Sequence, residues 1–347
     1  MEIERNLYYK KGNNFADTAD IPSIQIIKSN LEFIPKVTIA IPTYKRTDLL
    51  KESIDSALNQ ERYHNFDVIV VDNNPEREDE VEHLMLTYDN PRLSYYKNTQ
   101  NLGMVGNWNR LYTLAKGEWV VMLHDDDLLY SDYLYYMFEV IMPWCNYKYD
   151  IYSTPYHMFN MKAGLDKPVR TGSQFNAKKM SVSDFYLGNV MDSPLGICIR
   201  KEVIQKLGGF RSEYYPILDY DFYILATRSF NVANITGLPL CIYRIQENES
   251  CKIETIREFA SKMNCIIEAL IGAMIKPQQW FWRKNKGIVI QNLLIACKRE
   301  FLLSELNIVE ELDKLIIRND FISRIINRGV SYCFRIKSYF KTRTLKV

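Results

Sequence analysis

The sequence lacks the features that mark several large protein classes. No C-x-x-C pair occurs among its seven cysteines, which are odd in number and scattered at Cys145, Cys198, Cys241, Cys251, Cys265, Cys297 and Cys333. That argues against a disulfide framework and against a zinc site, and fits a reducing compartment. No G-x-G-x-x-G follows any apolar run, which disfavours a dinucleotide-dependent oxidoreductase. There is no surplus of either charge: the formal net charge of +2 is too small for a whole-chain polyanion binder, and no nucleic-acid partner is expected. No apolar run approaches the length of a membrane span. The opening "MEIERNLYYKKGNN" has no apolar core of the signal-peptide kind, so a cytoplasmic location is expected. Internal repeats and low-complexity tracts are also missing.

What is present is an ordinary globular composition, 47% hydrophobic and 25% charged over 347 residues, enough for one large α/β domain with an appendage or two modest domains. Residues 1–35 show no clear periodicity and read as an N-terminal extension. Beyond them, β-rich apolar runs alternate with helical patterns. "KVTIAIP", "FDVIVVDNN", "RLSYYKN" and "EWVVML" read as strands, while "TDLLKESIDSALNQ", "NLGMVGNWNRLYTLAKG" and "SDYLYYMFEVIM" read as helices or turns into helices. This alternation predicts an α/β fold, a mostly parallel sheet with helices on both faces. A short strand and helix in "PLGICIRKEVIQKLGGF", stopped by Gly208-Gly209, and a helix from "YYPILDYDFYILATRSF" follow. The predicted division is an extension over 1–35, a catalytic domain over 36–250 and a helical C-terminal region over 251–347.

Ligands of open α/β sheets bind outside the carboxyl ends of the strands. Three polar groups fall there: "PTYKR" after the first strand, Asp72 after the second, and Asp125, Asp126 and Asp127 after the fourth. Three adjacent carboxylates behind a buried strand repel one another and risk desolvation. One reading is a divalent cation, Mn²⁺ or Mg²⁺, held by one or two carboxylates plus phosphate oxygens. The other is a solvated loop in which the acids cap the next helix. A transfer in which a hydroxyl attacks a sugar carbon also needs a general base, and Asp219 and Asp221 are the candidates.

The ordered set "VTIAIPTYKRTDLLKESIDSALNQ", "VIVVDNN", "NLGMVGNWN", "GEWVVMLHDDD", "LGGF" and "LDYDF" resembles the family 2 glycosyltransferases of the GT-A fold over about residues 36–245. The resemblance implies an inverting, metal-dependent sugar transfer, commonly from a UDP-sugar. The acceptor would be a glycan or lipid-linked glycan, in capsule, O-antigen or other surface-polysaccharide synthesis. It implies that Pro42, Thr43, Tyr44 and Arg46 hold the nucleotide, that Asp72 reads the base edge, and that Asn101 and Gly103 line the nucleotide pocket. Asp126, with Asp127, would take the metal and Asp125 would face the donor. Asp219 would be the catalytic base, Asp221 would orient it or contact the acceptor, and Arg244 in "YRIQENES" would contact a phosphate. Two departures stand out: His124 where the family often has Asp, and Leu218 where it has Glu. For His124 two readings stand, a diphosphate or metal contact and a hydrogen-bonded strand end. Trp108 reads either as core or as a sugar-facing ring. A nucleotidyltransferase is less consistent with "PTYKRTD", which is no glycine-rich phosphate loop. A non-catalytic sugar-nucleotide-binding or scaffold protein is the non-enzymatic alternative.

The C-terminal stretch carries Arg324, Arg328, Arg335, Lys337, Lys341, Arg343 and Lys346 interleaved with Phe and Ile. That pattern suits peripheral contact with an anionic membrane, on the inner face of the cell membrane if the acceptor is lipid-linked. A helical cap with a solvated basic face is the alternative, and the Trp280-Phe281-Trp282 triplet fits either.

Overall fold

The computed structural model describes residues 12–163, 166–245, 252–272 and 342–345, with residues 276 and 279. The tryptophan triplet, most of the basic stretch and residues 246–250 of "YRIQENES" lie outside the described residues. Strand β1 (Ser23–Ile27) leads to β2 (Val37–Thr43), helix α1 (Leu50–Leu58), β3 (Phe66–Asp72), α2 (Glu80–Met85), β4 (Leu93–Asn98), α3 (Gly103–Leu114) and β5 (Trp119–Met122). Then come β6 (Leu128–Leu129), a helical run over 133–144 (α4) with π-helical turns at its centre, β7 (Ile151–Ser153), β8 (Tyr156–Asn160), β9 (Phe175–Lys179) and β10 (Cys198–Arg200). Helices α5 (Lys201–Leu207) and α6 (Leu218–Ser229), strands β11 (Val232–Thr236) and β12 (Cys241–Ile245), helix α7 (Ile253–Gly272) and β13 (Thr342–Leu345) complete the described chain.

The main sheet runs β1-β4-β3-β2-β5-β10-β7-β11-β9-β13. Its centre, β4-β3-β2-β5, is parallel as predicted. Every residue of β2 and β3 is buried, because helices cover both faces and leave no polar side to the sheet. One core, with Trp108, Tyr112 and Leu111 of α3, lies on one face, and a second, with Leu50, Ile54 and Ala57 of α1, lies on the other. Outside that centre the sheet is mixed rather than parallel: β10 is antiparallel to β5 and β7, and β1 is antiparallel to β4. The extension thus contributes an edge strand, and Arg110 of α3 ties its lead-in by donating to the Thr18 and Ile21 carbonyls. A second sheet, β6-β12-β8, stands beside the strand ends. No helix among the described residues is long and apolar enough to cross a membrane.

One buried acid in β3 gives the fold a pH signature. Asp67 accepts from Thr38 Oγ1 at 2.6 Å, but its other oxygen is buried without a partner. Burial is the largest influence and outweighs the Thr38 bond, pushing its pKa up to about 6. A carboxyl raised in the folded state contributes stability that is full below its unfolded pKa and is lost as pH rises through the folded value. Asp67→Asn removes that dependence. The variant should therefore gain on wild type by on the order of 1–3 kcal/mol between about pH 4 and 7, read by urea unfolding across that range. Parallel pH profiles for the two proteins would count against it.

Candidate active site at the strand ends

The acidic turn follows β5, and its four side chains are each held differently. Thr43, the last residue of β2, donates to Asp125 Oδ2 at 2.8 Å. Arg46 donates to Asp126 Oδ2 at 2.6 Å and lies 3.5 Å from Asp125 Oδ1. His124 Nδ1 pairs with Asp127 Oδ2 at 3.0 Å, and the Arg244 backbone N–H donates to Asp127 Oδ1 at 2.8 Å. Parallel pairing of β2 with β5 brings "PTYKR" and the triplet together, since both run past the same edge of the sheet.

Arg244 is 1% exposed, and its side chain lies between the acidic turn and α1. Its guanidinium donates to the Asp126 carbonyl, to Glu52 at 2.8 Å, and to the Leu49 carbonyl and Ser53 Oγ at 3.2 Å each. The side chain thereby clamps the acidic turn to the start of α1, and β12 places it there by pairing with β6.

The electrostatics follow from burial. Desolvation, then the Asp126 charge, pushes Asp125 up to about 6 despite Arg46. Desolvation also raises Asp127 against the pull of His124. Burial alone would lower His124, but the Asp127 hydrogen bond and the charges of the three acids outweigh it and raise it. A cation relieves this crowding. One ligand atom each from His124, Asp126 and Asp127 lie within 4.8 Å of one another, and His124 Nε2 is buried without a hydrogen-bond partner. Carboxylate oxygens with one imidazole form a donor set that fits Mn²⁺ or Mg²⁺. The ring is fixed by Asp127 in the manner of a carboxylate–histidine pair. Trp108 is core, as one reading had it, and it also stacks on the His124 ring at 5.8 Å.

Asp219 stands in the first turn of α6, where its Oδ2 accepts from Asn189 Nδ2 at 2.8 Å. Burial, with a smaller contribution from Asp192, lifts its pKa to about 7, and it also feels the charge of His124. Packed rings join the helix of Asp219 to the acidic turn: Phe222 of α6 lies 4.8 Å from Phe210, which meets Trp108 at 5.4 Å, and Trp108 stacks on His124. Asp221 does not join them: it is buried, with Arg211 Nε on Oδ2 at 2.8 Å and Nη2 on Oδ1. That fork occupies both oxygens, so Asp221 anchors the helix start instead of meeting an acceptor.

Asp72 is enclosed as well. It is 0% exposed, and its carboxylate accepts from the Asn74 N–H, the Tyr95 hydroxyl and Lys97 Nζ, each at 2.8 Å. A group so held supports the strand end. The next residue organises the turn over 101–103. Asn73 donates to Asn101 Oδ1 at 2.8 Å and to the Gly103 carbonyl at 3.1 Å, and its own oxygen accepts from the Leu102 N–H and Asn98. Asn101 also receives the Gly103 N–H, and Gly103 adopts φ +67, which a side chain would disfavour. Pro42 and Thr43 are buried, whereas Tyr44 is 46% exposed and open to a ligand. Asn73, Lys97, Asn189 and Arg211 were not singled out from the sequence. "VDNN" held the only local signal for Asn73, and nothing local marks the other three.

Comparison with known proteins agrees with this geometry. The sequence model described as "Glycosyl transferase family 2" matches residues 38–208. An uncharacterized glycosyltransferase of Rickettsia typhi is 26% identical over 58% of this chain, and the match spans 61% of that relative's length. A GalNAc(5)-diNAcBac-PP-undecaprenol beta-1,3-glucosyltransferase of Campylobacter jejuni is 36% identical over 28% of this chain and 32% of its own. Among solved structures, S. aureus TarS 1-349 in complex with UDP-GlcNAc superposes with a TM-score of 0.53 at 17% identity, covering 81% of this chain and 82% of that one, a likeness of fold. With the ordered strands and the acidic turn at their ends, the match places residues 38–208 of this chain in glycosyl transferase family 2.

Proposed function

We propose that this chain is an inverting glycosyltransferase. On this reading it moves a sugar from a nucleoside-diphosphate donor, a UDP-sugar, to a hydroxyl of a glycan or lipid-linked glycan in surface-polysaccharide synthesis. The observation that carries the reading is the acidic turn at the carboxyl ends of the parallel strands, where ligand atoms of His124, Asp126 and Asp127 lie within 4.8 Å of one another. The UDP-GlcNAc complex of TarS and the undecaprenol-linked name of the Campylobacter relative supply the donor and acceptor classes. Residues 36–250 form the catalytic domain on this reading.

The donor diphosphate lies over the acidic turn, with Tyr44 exposed beside it and Arg46 fixing Asp126. Asp126 and Asp127, with His124, would hold Mn²⁺ or Mg²⁺, which when bound neutralises charge on the diphosphate. Asp219 takes the proton of the acceptor hydroxyl as its oxygen bonds to the anomeric carbon. The bond from that carbon to the diphosphate breaks, and its electron pair leaves with the diphosphate. Asn189 holds the Asp219 carboxylate in one orientation throughout.

Thermal shift with UDP, GDP and UDP-sugars, each with and without Mn²⁺, tests the reading. A UDP ligand at about 100 times its dissociation constant should stabilise by about 2.7 kcal/mol. Asp126→Ala should abolish the Mn²⁺-dependent part of that stabilisation. If no nucleoside diphosphate shifts the melting temperature of the wild type, the reading fails.

A further inference from the structure

Beside the base lies a second carboxylate that the transfer chemistry does not use. Asn189 Nδ2 bridges two oxygens, Asp219 Oδ2 and the Asp192 carbonyl, each at 2.8 Å. The bridging amide is itself fixed, because its oxygen accepts the Met191 N–H at 3.2 Å, and Asn234 ties the Val190 carbonyl at 3.0 Å. Asp192 therefore sits at a set spacing from the base. It has a left-handed backbone, φ 53, and an exposed position, and its carboxylate has no hydrogen bond or ion pair among the described residues.

A second group points to a ligand there. Tyr223 lies one helical turn beyond Asp219 on the same face of α6, is 0% exposed, and has a hydroxyl without a partner. That hydroxyl feels the charges of both Asp219 and Asp192. Buried hydroxyls are normally satisfied, so the region behind the two acids is built around a polar guest or its water.

We propose that Asp192 is the acceptor-recognising carboxylate of this site, accepting hydrogen bonds from the hydroxyls of a neutral sugar ring presented to Asp219. The inference rests on Asp219 being the base of the transfer proposed above. The ligand class follows from the charges. Two neighbouring acids, neither paired with a cation among the described residues, welcome hydroxyl donors, which a carboxylate can take in pairs. The same two acids repel a sugar that carries its own carboxylate. Asp192 thus selects for neutral over acidic acceptors.

The test uses the full chain loaded with UDP and Mg²⁺, and two probes, methyl β-D-glucoside and methyl β-D-glucuronide, followed by saturation-transfer NMR. Wild type should bind the glucoside about tenfold or more tightly than the glucuronide, and Asp192→Asn should weaken glucoside binding by about tenfold, as expected for lost hydrogen bonds to a charged acceptor. The gap between the two probes should narrow in the variant. Asparagine tolerates the left-handed backbone, and a UDP-dependent rise in melting temperature shows that the variant is folded. If UDP stabilises both proteins while glycoside binding is the same in each, or undetectable in wild type, the inference falls alone. If UDP does not stabilise wild type, the transferase reading falls and takes it along.

Discussion

Asp219→Asn is expected to lower sugar transfer by about 10²–10⁴-fold, the range for loss of a positioned general base. The substitution keeps shape and an oxygen for Asn189, whose amide lies 2.8 Å from the carboxylate, so the start of α6 should not rearrange. Donor binding should survive, because the proposed donor site is the acidic turn and not Asp219; a UDP-sugar should still raise the melting temperature as in wild type. The pH profile gives an independent check. Burial lifts Asp219 to about 7, so its ionised, proton-accepting form grows as pH rises through that value. Wild-type turnover at saturating donor should climb through about pH 7 and then level off, and the residual rate of the variant should lack that limb. Turnover near wild type in Asp219→Asn would end its role as the base.

Lys97→Met should be the most damaging single change to stability. Lys97 is 1% exposed and lies 2.8 Å from both Asp72 and Asp79, and 3.9 Å from Glu82. The partners respond differently. Burial raises Asp72 in spite of Lys97, whereas the hydrogen bonds of the less enclosed Asp79 overcome burial and lower it. The lysine is thus the countercharge for an acid that cannot reach water. Removing one partner of a buried pair costs about 3–5 kcal/mol, and in a domain of this size that lowers the melting temperature by on the order of 10 °C. Asp72→Asn together with Lys97→Met should recover part of the loss, since the acid that cannot reach water is then neutral, while Asp79 keeps its bonds from Asn74 and the Glu82 N–H. An unaltered melting temperature in the single variant would mean that water reaches the pair.

The parallel centre of the sheet was legible because β2 and β3 are buried on both faces and so read as unbroken apolar runs. The antiparallel additions were not, since Cys198–Arg200 is three residues long and carries no period of its own. The acidic triplet and Asp219 were found by residue type at strand and helix ends. The enclosure of Asp72, Asp221 and Arg244 was not legible, for a shared reason. Each is charged and lies near a strand or helix terminus, yet each is enclosed by a partner that only the fold supplies: Lys97, Arg211 and Glu52. Asp72 and Lys97 are 25 residues apart, Arg244 and Glu52 are 192 apart, and no local pattern reveals such pairing. His124 was legible as a departure from the family pattern, but its bond to Asp127 was not.

The Arg244 clamp also sets an order of assembly during synthesis. Its contacts reach back to Leu49, Glu52, Ser53 and Asp126, so the acidic turn waits for a strand translated more than a hundred residues later. A chain halted before Cys241 would already hold the parallel strands, yet its acidic turn would lack the two bonds that Arg244 gives to Asp127 and to the Asp126 carbonyl. Fragments that end before β12 should therefore fold in part and lack the clamp on the acidic turn.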